Sequence, residues 1–502
     1  MRNTIRSFFL QQIPRSIAAF WGVPAAHPQG FGFALYATAG VALVLTAIQL
    51  DMLWLMGAPI FLALLWLAVV DFRKIYFFLF AAIPLSVEVA LPGGFATDFP
   101  SEQFMWLLTV VGTLWFLKNW KSVDARFLKH PISYALFLHL AWMTVCMVGS
   151  QDPYVSFKYW LAKGWYVIVF YFLAGHVLTT ERDYKKMLWW FFTPLLGAML
   201  IVVFRHALIG FSFTEVEYVM GPFFRNHVMY ACSLAIFIPF VWYGTYWYKR
   251  YSALWWLLVF GILAFLVGIN FAYTRAAYVA LVAAIGIYWM IRWRMMKVAL
   301  LGFGIVTAIF IGFVGTRDNW LRFAPNYERT ITHTRFTNLL EATTKLEDIS
   351  TMERVYRWVA ASYMIREKPG LGFGPGTFYF YYKNYTVNSF KTYVSDNPEH
   401  SGIHNYYLLM AVEQGLPGMF FFLLFSIITM LKGEQIYHQT SNKSRRRTLV
   451  AAVLCFVLID LLMLMNDLVE TDKIGSLFFL CASILVNIDL ANRDEKAGIQ
   501  IT

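Results

Sequence analysis

The chain has 502 residues, of which 59% are hydrophobic and only 14% charged, with a formal net charge of +12. A soluble domain carries about 25% charged residues, so this composition excludes a water-soluble globular protein and indicates an integral membrane protein. Nor does the positive charge require a nucleic-acid partner, because it is distributed as membrane topology demands.

The first fifteen residues are basic and partly amphipathic, without an apolar core ahead of a small-residue cleavage site. They read as a retained lead-in, not a cleaved signal. Apolar runs then recur at about 31–49, 52–70, 74–92, 102–118, 131–149, 160–179, 186–209, 226–246, 252–271, 275–291 and 297–315. After a long polar stretch they resume at about 403–431, 447–466 and 474–491. Each can cross a hydrocarbon core of roughly 30 Å as a helix. The alternation of a membrane barrel is absent. The expected fold is therefore all-α: a polytopic membrane protein of about 12–14 transmembrane helices with one large structured periplasmic loop. It divides into N-terminal membrane helices (1–315), the loop (316–401) and C-terminal membrane helices (402–502), forming a single integrated membrane domain. Cys146, Cys232, Cys455 and Cys481 all fall inside apolar runs and read as small core residues.

Alternate short connections are basic: Arg73-Lys74, Lys118 to Lys129, Arg182 to Lys186, Lys249-Arg250, Arg292 to Lys297, and Lys432 to Arg447. With both termini they hold about 24 of the 41 Lys and Arg residues, and 11 more lie in the long loop. The positive-inside rule then makes both termini cytoplasmic and turns the 316–401 loop outward. Outer span ends should be poor in cations. Yet Arg225 and Arg275 lie at outer ends, with Lys163 and Arg205 near others, where snorkelling to head groups is the plain alternative.

Within the loop, Ser350 to Glu353 has the form of a capping box, and Val355, Trp358, Val359 and Met364 keep rough helical spacing until Lys368-Pro369-Gly370 stops the helix. Arg354 and Arg357, three apart, share a face and suit phosphate oxygens; a solvated face paired to Glu353 and Glu367 is the competing reading. Gly370 to Gly376 lacks the spacing of a nucleotide-binding loop and reads as a tight turn allowing close backbone approach. Tyr379, Tyr381 and Tyr382 fit either the bilayer interface or sugar stacking. His404, followed by Asn405 at the mouth of a span, is a candidate general base, with His400 and His227 as rivals. No spacing suggests a metal site, and none is expected.

Three elements together resemble the O-antigen ligase family of membrane-embedded glycan ligases and polymerases. These are Thr274-Arg275-Ala276; Arg354 to Trp358 with Pro369 and Gly372-Phe373-Gly374; and His404-Asn405 to Leu408 with Glu413, Gly415-Leu416 and Gly418. Thr-Arg-Ala stands where the family has Ser-Arg-Gly. The resemblance covers about residues 220–430. It implies a bacterial inner-membrane glycosyltransferase with its site facing the periplasm. A glycan would move from undecaprenyl diphosphate to an acceptor hydroxyl, lipid A-core or another glycan, with inversion and without metal, nucleotide or other cofactor. By the same resemblance Arg275 and Arg354 grip the diphosphate and His404 is the base. Arg225, Arg357 and Asn405 are added here as further substrate contacts. A polymerase or a protein O-oligosaccharyltransferase would share this chemistry. A transporter is disfavoured because the key charges sit at outer ends, not at mid-membrane; against that, Asp460 and Asn466-Asp467 near the end of the run 447–466 are unexplained.

Overall fold

The computed structural model describes residues 28–49, 57–91, 95–316, 349–387 and 402–498. It contains two compact units, residues 1–76 and 77–502. The first holds α1 (Pro28–Gln49) and most of α2 (Ala58–Leu85), whose backbone leaves helical geometry at Asp71 (φ −153°, ψ 81°).

The second unit starts with the end of α2 and a hairpin of β1 (Val87–Leu91) and β2 (Phe95–Phe99), paired antiparallel with Glu88 opposite Asp98. Here the sequence expectation is corrected. The runs 52–70 and 74–92 correspond to one assigned helix broken at Asp71, and residues 87–91 form a strand. Val87-Glu88-Val89 alternates with period two, which suits a strand.

Long helices follow: α3 (Ser101–Lys118), α4 (Pro131–Val148), α5 (Pro153–Val177), α6 (Glu181–Leu208), α7 (His227–Gly244), α8 (Ala253–Phe271), α9 (Arg275–Arg292) and α10 (Met296–Gly315). After these come α11 (Ile349–Glu367), α12 (Tyr406–Gln439), α13 (Lys443–Leu462) and α14 (Asp472–Lys496). Nine helices among the described residues are long and apolar enough to cross a membrane. The remaining expected spans in this unit, α3 and α13, carry more polar ends: Glu102 and Lys118 in one, and a Lys443-to-Arg447 basic turn in the other. The fold is that of an all-α polytopic membrane protein.

Burial sorts the helices. In α14 89% of the spanning window is buried, against 6% in α10. Both are apolar, so α14 lies at the centre of the bundle while α10 offers its surface to lipid. All four cysteines are buried and free. The ends of α4, α7, α12, α13 and α14 on one side support the segments that form the candidate site.

Candidate functional site

The site is organised by a break in α12. At Gly415 the backbone takes φ 70° and ψ 177°, which interrupts the helical ladder and frees carbonyls one turn back. The glycine-rich turn satisfies them: Phe373 N donates to Val412 O (3.0 Å) and Gly374 N to Glu413 O (2.9 Å). In return Leu416 N donates to Pro369 O (2.8 Å). The Glu413 side chain then accepts Gly376 N (2.8 Å) and Phe378 N (3.1 Å), while Trp142 Nε1 donates to Gln414 O (2.9 Å). Residues 370–378 and 412–418 are thus one docked unit, and the close backbone approach expected of the turn is made against α12. Irregular backbone at this depth persists because protein groups occupy it fully.

This dock holds α11 in place. Its buried stripe is Glu353, Tyr356, Arg357, Ala360, Ala361 and Met364, a 3–4 spacing shifted from the one expected, since Trp358 and Val359 are only half-buried. The shift arises because small alanines and an internal ion pair, not the largest apolar residues, face inward. Arg357 Nη2 lies 3.6 Å from Glu353 Oε2, and its Nη1 donates to Gly402 O (2.8 Å). Trp358 Nε1 donates to Ile403 O (3.1 Å). Two side chains of α11 therefore grip the backbone just ahead of His404. The helix already includes Ile349 and Ser350, so the proposed capping box falls within its first turn; the side chains of 349–352 lie outside the described residues, and Glu353 pairs with Arg357. Glu367 accepts Tyr385 Oη (2.7 Å), away from the arginines.

His404 itself is left-handed, with φ 58°, uncommon outside glycine. Its N–H donates to Asp467 Oδ2 (3.0 Å), which fixes that conformation from the α13–α14 connection. Gly402 makes the approach possible: a Cβ there would stand 2.3 Å from Asp467 Oδ2. Burial, reinforced by the Arg357 and Arg354 charges, pushes the His404 imidazole down to about 3. Burial pushes the Asp467 carboxyl up to about 7, against the pull of the His404 N–H and Arg357. Among the described residues, Arg357 Nε, Asn466 Nδ2 and Asp467 Oδ1 are buried without a hydrogen-bond partner. Three orphaned polar atoms on the segments that flank His404 are costly unless water or a ligand meets them.

Asn405 serves the scaffold. Its side chain caps α12 by accepting Leu408 N (3.0 Å) and donates to Leu464 O (3.1 Å). Sequence reasoning gave Asp467 no role; the only signal was a carboxylate at the end of an apolar run.

The other two arginines belong to a neighbouring cluster. Arg225 Nε lies 2.9 Å from Glu88 Oε2, and its Nη2 lies 3.3 Å from Asp98 Oδ2. It bridges two carboxylates that oppose each other across the hairpin, a like-charge pair that otherwise destabilises a sheet. Arg275 opens α9, and the preceding Thr274 donates to His227 O (3.3 Å), tying it to the start of α7. The structure thus brings together Arg354, Arg357, His404 and Asn405, and places Arg225 and Arg275 around the α7 corner. His227 stands 3.3 Å from Glu217, and His400 lies outside the described residues. Tyr382 is buried and stacked on Phe378 at 5.0 Å, a packing role, while Tyr379 and Tyr381 are half-buried.

Residues 260–423 match the family model described as O-antigen ligase. Over these residues the chain is similar to the O-antigen ligase family. The match runs from α8 to the middle of α12. It includes Arg275, Arg354, Arg357, His404 and the Glu413–Gly418 dock, and leaves out Arg225, Lys163 and Asp467. It ties the chain to glycan transfer of the ligase or polymerase type, on lipid-linked glycans in a membrane. No curated protein matches the chain.

Proposed function

We propose that the protein transfers a glycan from undecaprenyl diphosphate to an acceptor hydroxyl, the lipid A-core of lipopolysaccharide, at the periplasmic face of the bacterial inner membrane. The observation carrying this reading is the convergence of Arg354, Arg357 and His404, with unmet polar atoms of Arg357, Asn466 and Asp467 beside them. The acceptor oxygen attacks the anomeric carbon from the face opposite the diphosphate. Its proton passes to the His404 imidazole, the carbon–oxygen bond to phosphate breaks, and undecaprenyl diphosphate leaves with the electron pair. The anomeric centre inverts. Negative charge grows on the leaving group, where preorganised guanidiniums stabilise it in place of a metal. Arg354 holds the diphosphate beside His404, and Arg275 holds it from the α9 end. Arg357 adds positive charge and its unmet Nε, while its Nη groups stay on Glu353 and Gly402. Arg225 would have to bind phosphate beside the two carboxylates it already bridges, so its role in this scheme is to brace the hairpin. Asn405 positions His404 by capping the helix behind it.

The free imidazole, depressed by burial and further by two arginines, is a weak base. Bound diphosphate offsets those charges and raises its basicity at the moment of use. The test incubates purified protein with undecaprenyl-diphosphate glycan and lipid A-core in EDTA without nucleotide. Glycan on the lipid acceptor supports the ligase. Growth of the donor glycan alone makes the protein a polymerase, and transfer only to a serine- or threonine-bearing protein makes it a protein O-oligosaccharyltransferase. Absence of transfer to any acceptor by folded protein would refute glycan transfer.

A further inference from the structure

The α5 helix lies wholly before the O-antigen ligase match, yet one of its faces touches three segments of the candidate site. Ser156, Tyr159 and Lys163 are spaced three and four apart, so they share that face. Ser156 Oγ donates to Pro375 O (2.8 Å), in the turn docked on α12. Tyr159 Oη donates to Glu470 Oε1 (2.6 Å). Lys163 Nζ donates to the same Glu470 oxygen (2.8 Å) and to Tyr406 Oη (3.2 Å), lying over both tyrosine rings at 5.4 and 5.6 Å.

Snorkelling does not account for this lysine. Lys163 is 5% exposed, and its ammonium points at a carboxylate and a phenol instead of head groups. A charge in a membrane helix is costly, and one that is buried and paired marks a role for the pair. Both of its partners lead to His404. Tyr406 is two residues beyond it at the start of α12, and Glu470 lies three residues beyond Asp467, which accepts the His404 N–H. Glu470 and Asp467 belong to one short turn, Asp467–Thr471, closed by Glu470 N to Asp467 O (3.1 Å). Fixing Glu470 therefore fixes Asp467.

We propose that Lys163 is a positioning residue for the transfer site: through Glu470 and Tyr406 it holds the Asp467 turn and the first turn of α12 so that His404 keeps its left-handed conformation against Asp467. This rests on the glycan-transfer reading for its catalytic consequence, but its structural content can be tested without it. The groups facing Lys163 are Glu470 and Tyr406 from the α13–α14 connection and α12, buried His139 of α4, and Tyr159 on its own helix.

Hydrogen exchange on the purified full-length protein in detergent tests the proposal. In Lys163→Met, peptides covering 402–408 and 463–471 exchange about tenfold faster or more, the factor that follows from losing one hydrogen bond to a charged group. Peptides from the centre of α14 keep their rate. Lys163→Arg restores protection at least in part, and Glu470→Gln gives the same local pattern as Lys163→Met. In the transfer assay Lys163→Met lowers kcat about tenfold or more, with the donor KM within about threefold. Unchanged exchange in both peptides overturns the proposal. If Lys163→Met loosens the whole protein, Glu470→Gln decides: local loosening supports the proposal and none refutes it. A wild-type protein without transfer would sink the functional reading and leave the exchange result standing by itself.

Discussion

Replacing Gly415 by alanine tests whether the α12 break is the part on which the site is built. At φ 70° and ψ 177°, backbone used essentially by glycine alone, an alanine is strained by about 1–3 kcal/mol. A larger effect comes from space: a Cβ at this position would stand 1.9 Å from Gly370 O and 2.8 Å from Pro369 O. Backbone cannot yield as a side-chain end can, so residues 369–374 must lift away. That forfeits three hydrogen bonds, from Phe373 N, Gly374 N and Leu416 N, each worth about 1 kcal/mol. Together the local cost is about 4–6 kcal/mol. The expected result is protease cleavage within 368–378 at concentrations that leave the wild type intact, with loss of transfer as α11 drifts from His404. Gly164→Ala is the control, since nothing lies within 4 Å of a Cβ at that helical position; it should be neutral or stabilising by up to about 1 kcal/mol. Wild-type protease resistance and kcat in Gly415→Ala would refute the account of the dock.

His404→Ala and Arg354→Ala should each lower transfer at least 100-fold, the lower range for a general base, while expression and thermal midpoint stay near wild type. Wild-type activity in either variant removes that residue from the mechanism. The pH profile has a sign. Activity is lost as pH falls through the His404 value, so the acid limb of kcat/KM lies low, in line with the imidazole pushed down to about 3 in the free protein. Bound diphosphate opposes the two arginines, so the limb of kcat should lie about one unit or more higher. A kcat limb at or below that of kcat/KM contradicts the part of the depression that Arg357 and Arg354 add to burial. Arg225→Ala leaves Glu88 and Asp98 opposed without their shared cation. It should lower thermal stability and change kcat less than tenfold; a loss equal to that of Arg354→Ala would restore it as a diphosphate contact.

Much of the molecule was legible along the chain because lipid imposes a one-dimensional rule. A segment must be apolar over about 20 residues and must satisfy its own backbone, so the spans could be bounded to within a few residues in most cases. The exception, 74–92, failed where a long apolar run turned into a hairpin whose Glu88 needed Arg225 from far along the sequence. Local motifs also singled out His404, Arg354 and Arg357 as candidates, since a histidine at a span mouth and arginines three apart are visible in one dimension. What the sequence could not decide is what those groups touch. Arg225 and Arg357 look alike along the chain, yet one braces a hairpin and the other grips the backbone before His404. Glu413 lies in a family motif, and only the fold shows its carboxylate receiving the N–H groups of Gly376 and Phe378. Lys163 and Asp467, 307 and 3 residues from Glu470 respectively, acquire their relation through helix packing alone. By itself the sequence determined which segments enter the membrane and which side groups can do chemistry; the tertiary structure decided which are held together, because hydrogen bonds and ion pairs depend on distances between segments that hydrophobic patterning does not encode.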